Sequence, residues 1–172
     1  MQRYLILLLV FSVAPVFAET PEERLKAAGY KLPDPPKPAA VYVTRVQVGN
    51  LLFLSGHGDC RADRPTGKLG RDLSIEEGKE SAEAVGLCML ATIKDELGEL
   101  SRVKRFVRIL GMVNATEDFT KHPQVLNGFS ELMVLAFGDE GKAARAAVGM
   151  GSLPSNIAVE IEAIVELHED AE

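Results

Sequence analysis

The sequence predicts an α+β sandwich, a mixed β-sheet with two long helices packed on one face. Three observations lead there. Two stretches, one after Ser74 and one after Pro123, carry apolar residues at helical spacing, and each ends at a glycine. Several other stretches alternate in polarity or run apolar between turn residues, as strands do. Their order along the chain is ββ(β)αβαββ, and no short internal repeat is present. The 172 residues suffice for one domain with a modest core and are too few for two comfortable ones.

Each element has its own local reason. Thr20 to Gly29 reads as a short helix, with Thr20 as N-cap, Pro21 at the first helical position and Glu22 and Glu23 in the first turn. Lys31 to Ala40 is a proline-rich extended linker. Tyr42 to Val48 and Leu51 to Ser55 flank Gly49-Asn50, a two-residue turn of hairpin type. Asp59 to Leu73 is polar and glycine-rich and predicts an irregular loop or a short edge strand. Ser74 with Glu77 forms a capping box. The helix that follows turns Ala82, Val85, Met89, Ile93 and Leu97 inward, and Gly98 stops it. Val103 to Val113 is a strand with Val107, Ile109, Gly111 and Val113 on one face and Phe106, Arg108, Leu110 and Met112 on the other. Pro123 starts a second helix that buries Val125, Phe129, Leu132, Met133 and Ala136 and ends at Gly138. Lys142 to Val148 and Ile157 to Leu167 form a last strand pair. The face opposite the helices is half apolar, a pattern that suggests an interface.

Composition narrows the function classes. Hydrophobic residues make up 47% and charged residues 26%, as in ordinary soluble domains. The net charge is −6, which disfavours generic nucleic-acid binding. The basic cluster Arg102, Lys104, Arg105 and Arg108 looks like the wet side of a strand. Residues 1–18 read as a secretory signal: Arg3, an apolar run from Leu5 to Val13 too short for a comfortable span, then Val16-Phe17-Ala18. Its removal near Glu19 would leave a periplasmic or secreted protein with no further membrane segment. The expected layout is therefore a signal peptide at 1–18, a helix and linker at 19–40, and one domain at 41–172. Cys60 and Cys88 could pair in an oxidising compartment. The first sits in a polar loop and the second in mid-helix, and the sequence leaves the pairing open. No CxxC occurs, and His57, His122 and His168 are far apart, so no metal site is expected.

Residues 145 to 162, RAAVGMGSLPSNIAVEIE, carry the chemistry. Arg145 offers a planar fork for a carboxylate. Glu160 stands between Val159 and Ile161, so its side chain leaves the helix-covered core. The last two strands are expected to form one hairpin, which brings an anion clamp and a proton-moving carboxylate together. Glu162 and Glu166 share the strand face of Glu160.

This tract resembles the RidA family, also called the YjgF or L-PSP endoribonuclease family. GNLLFLSGHG at 49–58 resembles its first hairpin, and the tracts 21–42 and 118–149 resemble a subgroup with a longer loop before the second helix. The likeness covers nearly all of the chain after residue 20. It implies a chorismate mutase-like fold and homotrimers with active sites in clefts between subunits. It implies an activity, deamination of 2-imino acids or enamines to keto acids and ammonia, that needs no metal or organic cofactor. It places Arg145 on the carboxylate clamp and Glu160 on the acid, with Tyr42, Ser55, Gly56 and Asn127 lining the pocket. His57 stands where the family has Gln, either as a ligand contact or as a plain turn histidine. One departure concerns Ala147, which replaces a pocket thiol and alters substrate fit. The alternative is a non-catalytic trimer that binds a small carboxylate or carbonyl compound in the same clefts. Ribonuclease activity sits poorly with an acidic exported chain.

Overall fold

The computed structural model describes residues 19–169. The expected signal peptide lies outside the described residues. The elements are α1 (Pro21–Ala27), β1 (Arg45–Val48), β2 (Leu51–Gly58), α2 (Ile75–Leu97), β3 (Val103–Asn114), α3 (His122–Phe137), β4 (Ala144–Met150) and β5 (Val159–Leu167), with three single 3₁₀ turns between them. The predicted caps are present. Thr20 accepts from the Glu23 amide at 3.2 Å while Glu23 accepts from the Thr20 amide at 2.8 Å. Ser74 and Glu77 make the same reciprocal pair at α2. Each pair satisfies amides that the first helical turn leaves free.

The five strands form one mixed sheet in the order β1-β2-β5-β3-β4. All neighbours are antiparallel except β3 and β4, which run parallel. This overturns the expected last hairpin, because β3 lies between β4 and β5. The connection through Gly151 to Ala158 crosses over β3. Residues Ser155 and Asn156 take left-handed backbone angles there, at φ 52° and 54°. A parallel partner needs a long return, and here α3 supplies it between β3 and β4.

Helices α2 and α3 cover one sheet face. Leu52, Leu54, Ile109, Val113, Ile161 and Val165 pack from below against Val85, Met89, Ile93, Phe129 and Met133. Gly128 lets the helices cross closely, since a Cβ there would overlap the Lys79 carbonyl oxygen of α2. α1 docks on the end of α3, where Arg24 donates to the Ala136 carbonyl at 3.1 Å.

The phase expected for β3 is wrong in its first half. Phe106 is 1% exposed and stacks against Phe129 and Phe137, whereas Val107 is 38% exposed. Register shifts at Val103/Arg105 and Phe106/Arg108 are the cause. Each bulge inserts a residue and reverses which side chains face the core. The expected alternation holds only from Ile109 onward. β1 is also shorter than expected: Tyr42 precedes it in a bend and is exposed.

Cys60 and Cys88 form a disulfide that ties the loop after β2 to the middle of α2. The 59–73 loop contains only isolated bridges, to Ile157 and Ala115 among others. It is pinned by Lys68, whose ammonium donates to Asn114 Oδ1, the Ala115 carbonyl and the Gly151 carbonyl at 3.1, 3.1 and 2.6 Å. The basic cluster is indeed on wet surface. Lys104 and Arg105 pair with Glu166, and Arg105 also meets Glu140.

Candidate functional site

Arg145 lies on β4, in register with Ile109 of β3, and so points to the helix-covered side at the sheet edge. Its guanidinium reaches α3. It donates to Asn127 Oδ1 at 3.1 Å and to Ser130 Oγ at 2.9 Å, and approaches the Pro123 carbonyl at 3.5 Å. All three acceptors are neutral. They hold the group in place without cancelling its charge, which leaves an oriented cation for an anionic ligand. Asn127 thus serves the arginine, as its poor helix propensity hinted. Ser130 was not foreseen. The available signal was its spacing, three residues after Asn127 on one helix face.

Glu160 lies on the other face. Its neighbours Val159 and Ile161 are buried under the helices, while Glu160 is half-buried on the open side beside Met112 of β3 and Gly58 of β2. Its carboxylate sits against Gly56, where a Cβ would overlap Oε1. A side chain at 56 would displace the Glu160 carboxylate from this position, so the constraint there is close approach and not backbone angle. Burial, followed by the charge of Glu162 two residues on, raises the Glu160 pKa from its ordinary value. Glu166 is in the opposite state. Its hydrogen bond from Lys104 is the largest of the effects that hold its pKa down, so it stays ionised.

Ser55 donates to the Val43 carbonyl at 2.7 Å and locks β2 to the segment before β1. Tyr42 is exposed in that segment, its hydroxyl 3.4 Å from the Ala39 amide. Gly56 thus lies beside Glu160, Ser55 precedes it on β2, and Tyr42 stands next in the chain to the Val43 that Ser55 holds. His57 is no ligand contact. It is 3% exposed and points into the core. Its Nδ1–H donates to the Ser55 carbonyl at 2.7 Å, so Nε2 accepts from the Thr92 hydroxyl at 2.9 Å. Burial lowers its pKa and keeps it neutral.

The six predicted residues therefore fall into two groups. Arg145 and Asn127 occupy the β4–α3 edge. Glu160, Ser55 and Gly56 occupy the open face, with Tyr42 beside them. Ala147, where the resembled family has a thiol, sits two residues after Arg145 on the same side and is partly buried against the core.

Over residues 22–167 the chain matches the family described as "YjgF/chorismate_mutase-like, putative endoribonuclease". The chain belongs to this family. Protein TCP17 of Trypanosoma cruzi is 40% identical over 151 residues, covering 84% of this chain and 92% of that protein. The crystal structure of Atu1372 from Agrobacterium tumefaciens, titled as of unknown function, is similar at TM-score 0.80 and 39% identity, covering 86% of this chain and 92% of the other. A structure from Shewanella oneidensis, titled a "putative endoribonuclease", matches at TM-score 0.83 and 32% identity, covering 87% of this chain and all of the other. The mixed sheet with helices on one face is the chorismate mutase-like fold of this family.

Proposed function

We propose that the protein is an exported hydrolase of 2-imino acids and their enamine tautomers, with active sites formed between subunits of a homotrimer. One observation carries the reading. An oriented, unneutralised guanidinium and a carboxyl of raised pKa lie on opposite faces of one sheet, and both border open surface. A guanidinium held only by neutral oxygens suits a substrate carboxylate. A half-buried acid whose pKa is raised suits proton transfer to a substrate. Neither can serve a small substrate alone.

Self-association would join the halves. The open face carries Val46, Phe53 and Val148 exposed, with Phe53, Leu110 and Ile164 lining a depression of about 240 Å³. Arg108 and Glu162 line the same depression, so the face is a mixed patch, apolar residues beside a pair of opposite charges, of the kind that interfaces use. In the assembled cleft, Arg145 of one subunit holds the carboxylate. Glu160 of the neighbour protonates the imine or the enamine carbon through a water. That water adds to the iminium carbon, ammonia leaves, and a 2-keto acid remains. The substrate is already electrophilic, so the needed acceleration is modest. Residues 1–18 and the disulfide support export, since disulfides persist in oxidising compartments.

The binding-module alternative draws support from Ala147, which offers a methyl where the resembled family has a thiol. Generating 2-iminobutyrate in situ and timing ammonia release separates the two. The hydrolase reading expects acceleration by the wild type and its loss in both Arg145→Ala and Glu160→Gln. Ammonia release equal to the buffer rate would leave binding as the function.

A further inference from the structure

Strand β2 passes Glu160 through a bulge, and one buried side chain closes that bulge. We propose that His57 is a positioning residue for Glu160, its ring locking the backbone of Gly56 beneath the carboxylate. The proposal rests on Glu160 being the acid of the proposed deamination.

From Leu54 to His57 the strand takes three steps, while β5 takes two from Ala163 to Ile161. The extra residue is a bulge. Residues three apart on a regular strand face opposite sides. Here Leu54 and His57 are both buried, so the bulge is what turns His57 into the core. A buried imidazole needs a partner at each nitrogen. Nδ1–H donates to the Ser55 carbonyl at 2.7 Å, and Nε2 accepts from the Thr92 hydroxyl at 2.9 Å. Thr92 gives its one proton to His57 in preference to the Cys88 carbonyl, which stands farther off at 3.3 Å. The bond to Ser55 closes a ring of atoms that contains both backbone torsions of Gly56. Holding the imidazole therefore holds Gly56.

Glu160 depends on that backbone. Its carboxylate accepts no hydrogen bond among the described residues, so packing seats it. The closest approach is to Gly56, where a Cβ would overlap Oε1. Its register partners are Gly58 of β2 and Met112 of β3, both uncharged, and Glu162 of its own strand is the charge that acts on it. β2 is anchored on both sides of the bulge. Before it, the Ser55 hydroxyl donates to the Val43 carbonyl; after it, Cys60 is bonded to Cys88 of α2. Thr92 lies one turn beyond Cys88 on the same helix. Strand and helix are thus tied at two neighbouring points, one covalent and one through His57. Without the His57 bonds, Gly56 has the widest backbone freedom of any residue and can swing away from the acid.

Carboxyl titration read by NMR on glutamate-labelled protein tests this without requiring turnover, with Glu160→Gln identifying the signal. Wild-type Glu160 should titrate above an ordinary glutamate, as its burial requires. His57→Leu removes both bonds, and the midpoint should fall toward the ordinary value as the carboxylate gains water. His57→Asn places an amide nitrogen the same number of bonds from Cα as Nδ1. It keeps the Ser55 bond and should restore much of the wild-type midpoint. Thr92→Val removes only the far anchor and should lower the midpoint by less. In imine hydrolysis, His57→Leu should lower kcat about tenfold, part of what a general acid supplies, with KM unchanged. A midpoint unmoved by His57→Leu would overturn the proposal, as would a His57→Asn midpoint no closer to wild type than that of His57→Leu. If His57→Leu does not fold, an unmoved midpoint in Thr92→Val overturns it instead. If the midpoints move as expected while the wild type hydrolyses no imine, the deaminase reading falls and the positioning role stands.

Discussion

Complementation between two inactive variants probes the central geometric claim. Within one chain, Arg145 aligns with Ile109 of β3 and Glu160 with Met112. Their strands lie two spacings apart, about 10 Å, and the residues are three steps offset, about another 10 Å. The Cα atoms are thus roughly 14 Å apart and the side chains leave opposite faces. In an imino acid the carboxylate carbon is bonded directly to the reacting carbon. No small substrate can touch both groups of one chain. Arg145→Ala removes a charged hydrogen bond and should cost about 1.5–3 kcal/mol, mostly in KM. Glu160→Gln keeps shape and removes the proton relay, lowering kcat by roughly 10²–10⁴. When the two variants are co-expressed with different tags and mixed assemblies purified, a site works only if its arginine comes from the Glu160→Gln chain and its acid from the Arg145→Ala chain. In a cyclic trimer that contains both variants, about a third of the sites are whole. Imine hydrolysis by the purified mixed assemblies should therefore recover to about a third of wild type. Mixed assemblies no more active than the average of their parents would refute the between-subunit site.

Other outcomes follow from single features. Arg145→Lys should restore only part of the affinity lost in Arg145→Ala, because a point charge cannot reproduce the fork; steady-state KM for a 2-imino acid measures it. Glu160→Gln should also raise Tm at neutral pH. The folded pKa of Glu160 lies above its ordinary value near 4.5, so its contribution is fully present below that value and is lost as pH rises through the folded pKa. Thermal melts across pH should show the variant's advantage closing at acid pH, and an advantage that instead grew at low pH would contradict the burial argument. Reducing the Cys60–Cys88 bond opens a loop of 28 residues. The chain-entropy relation gives about 3–4 kcal/mol for a loop of that size, or roughly 7–14 °C in Tm for a chain this long. Melts with and without reductant report it, and coincident curves would mean that the bond does not restrain the unfolded chain.

Much of the molecule is legible in local sequence. Thr20 and Ser74 cap their helices with partners three residues away, Gly49-Asn50 turns the first hairpin, and 3.6-residue spacing marks the buried sides of α2 and α3. These are short-range effects, set by covalent geometry and by neighbours within one turn. The same is true of Glu160, whose flanking Val159 and Ile161 assign it a face.

What the sequence could not decide depends on which distant segments pair. The adjacency of 144–150 and 159–167 in the chain suggested a hairpin, but β3 is the better partner for both, because α3 provides the long return that a parallel neighbour needs. That choice separates Arg145 from Glu160. The bulge between Phe106 and Arg108 of β3 reverses the faces of Phe106 and Val107, since a period-two pattern carries no record of an inserted residue. His57 looked like a turn residue and is buried, because Thr92 on α2 and the Ser55 carbonyl satisfy both of its nitrogens. The pairing of Cys60 with Cys88 and the hold of Asn127 and Ser130 on Arg145 arise in the same way. Sequence alone named the chemical groups; helix packing and strand order decided which of them can meet.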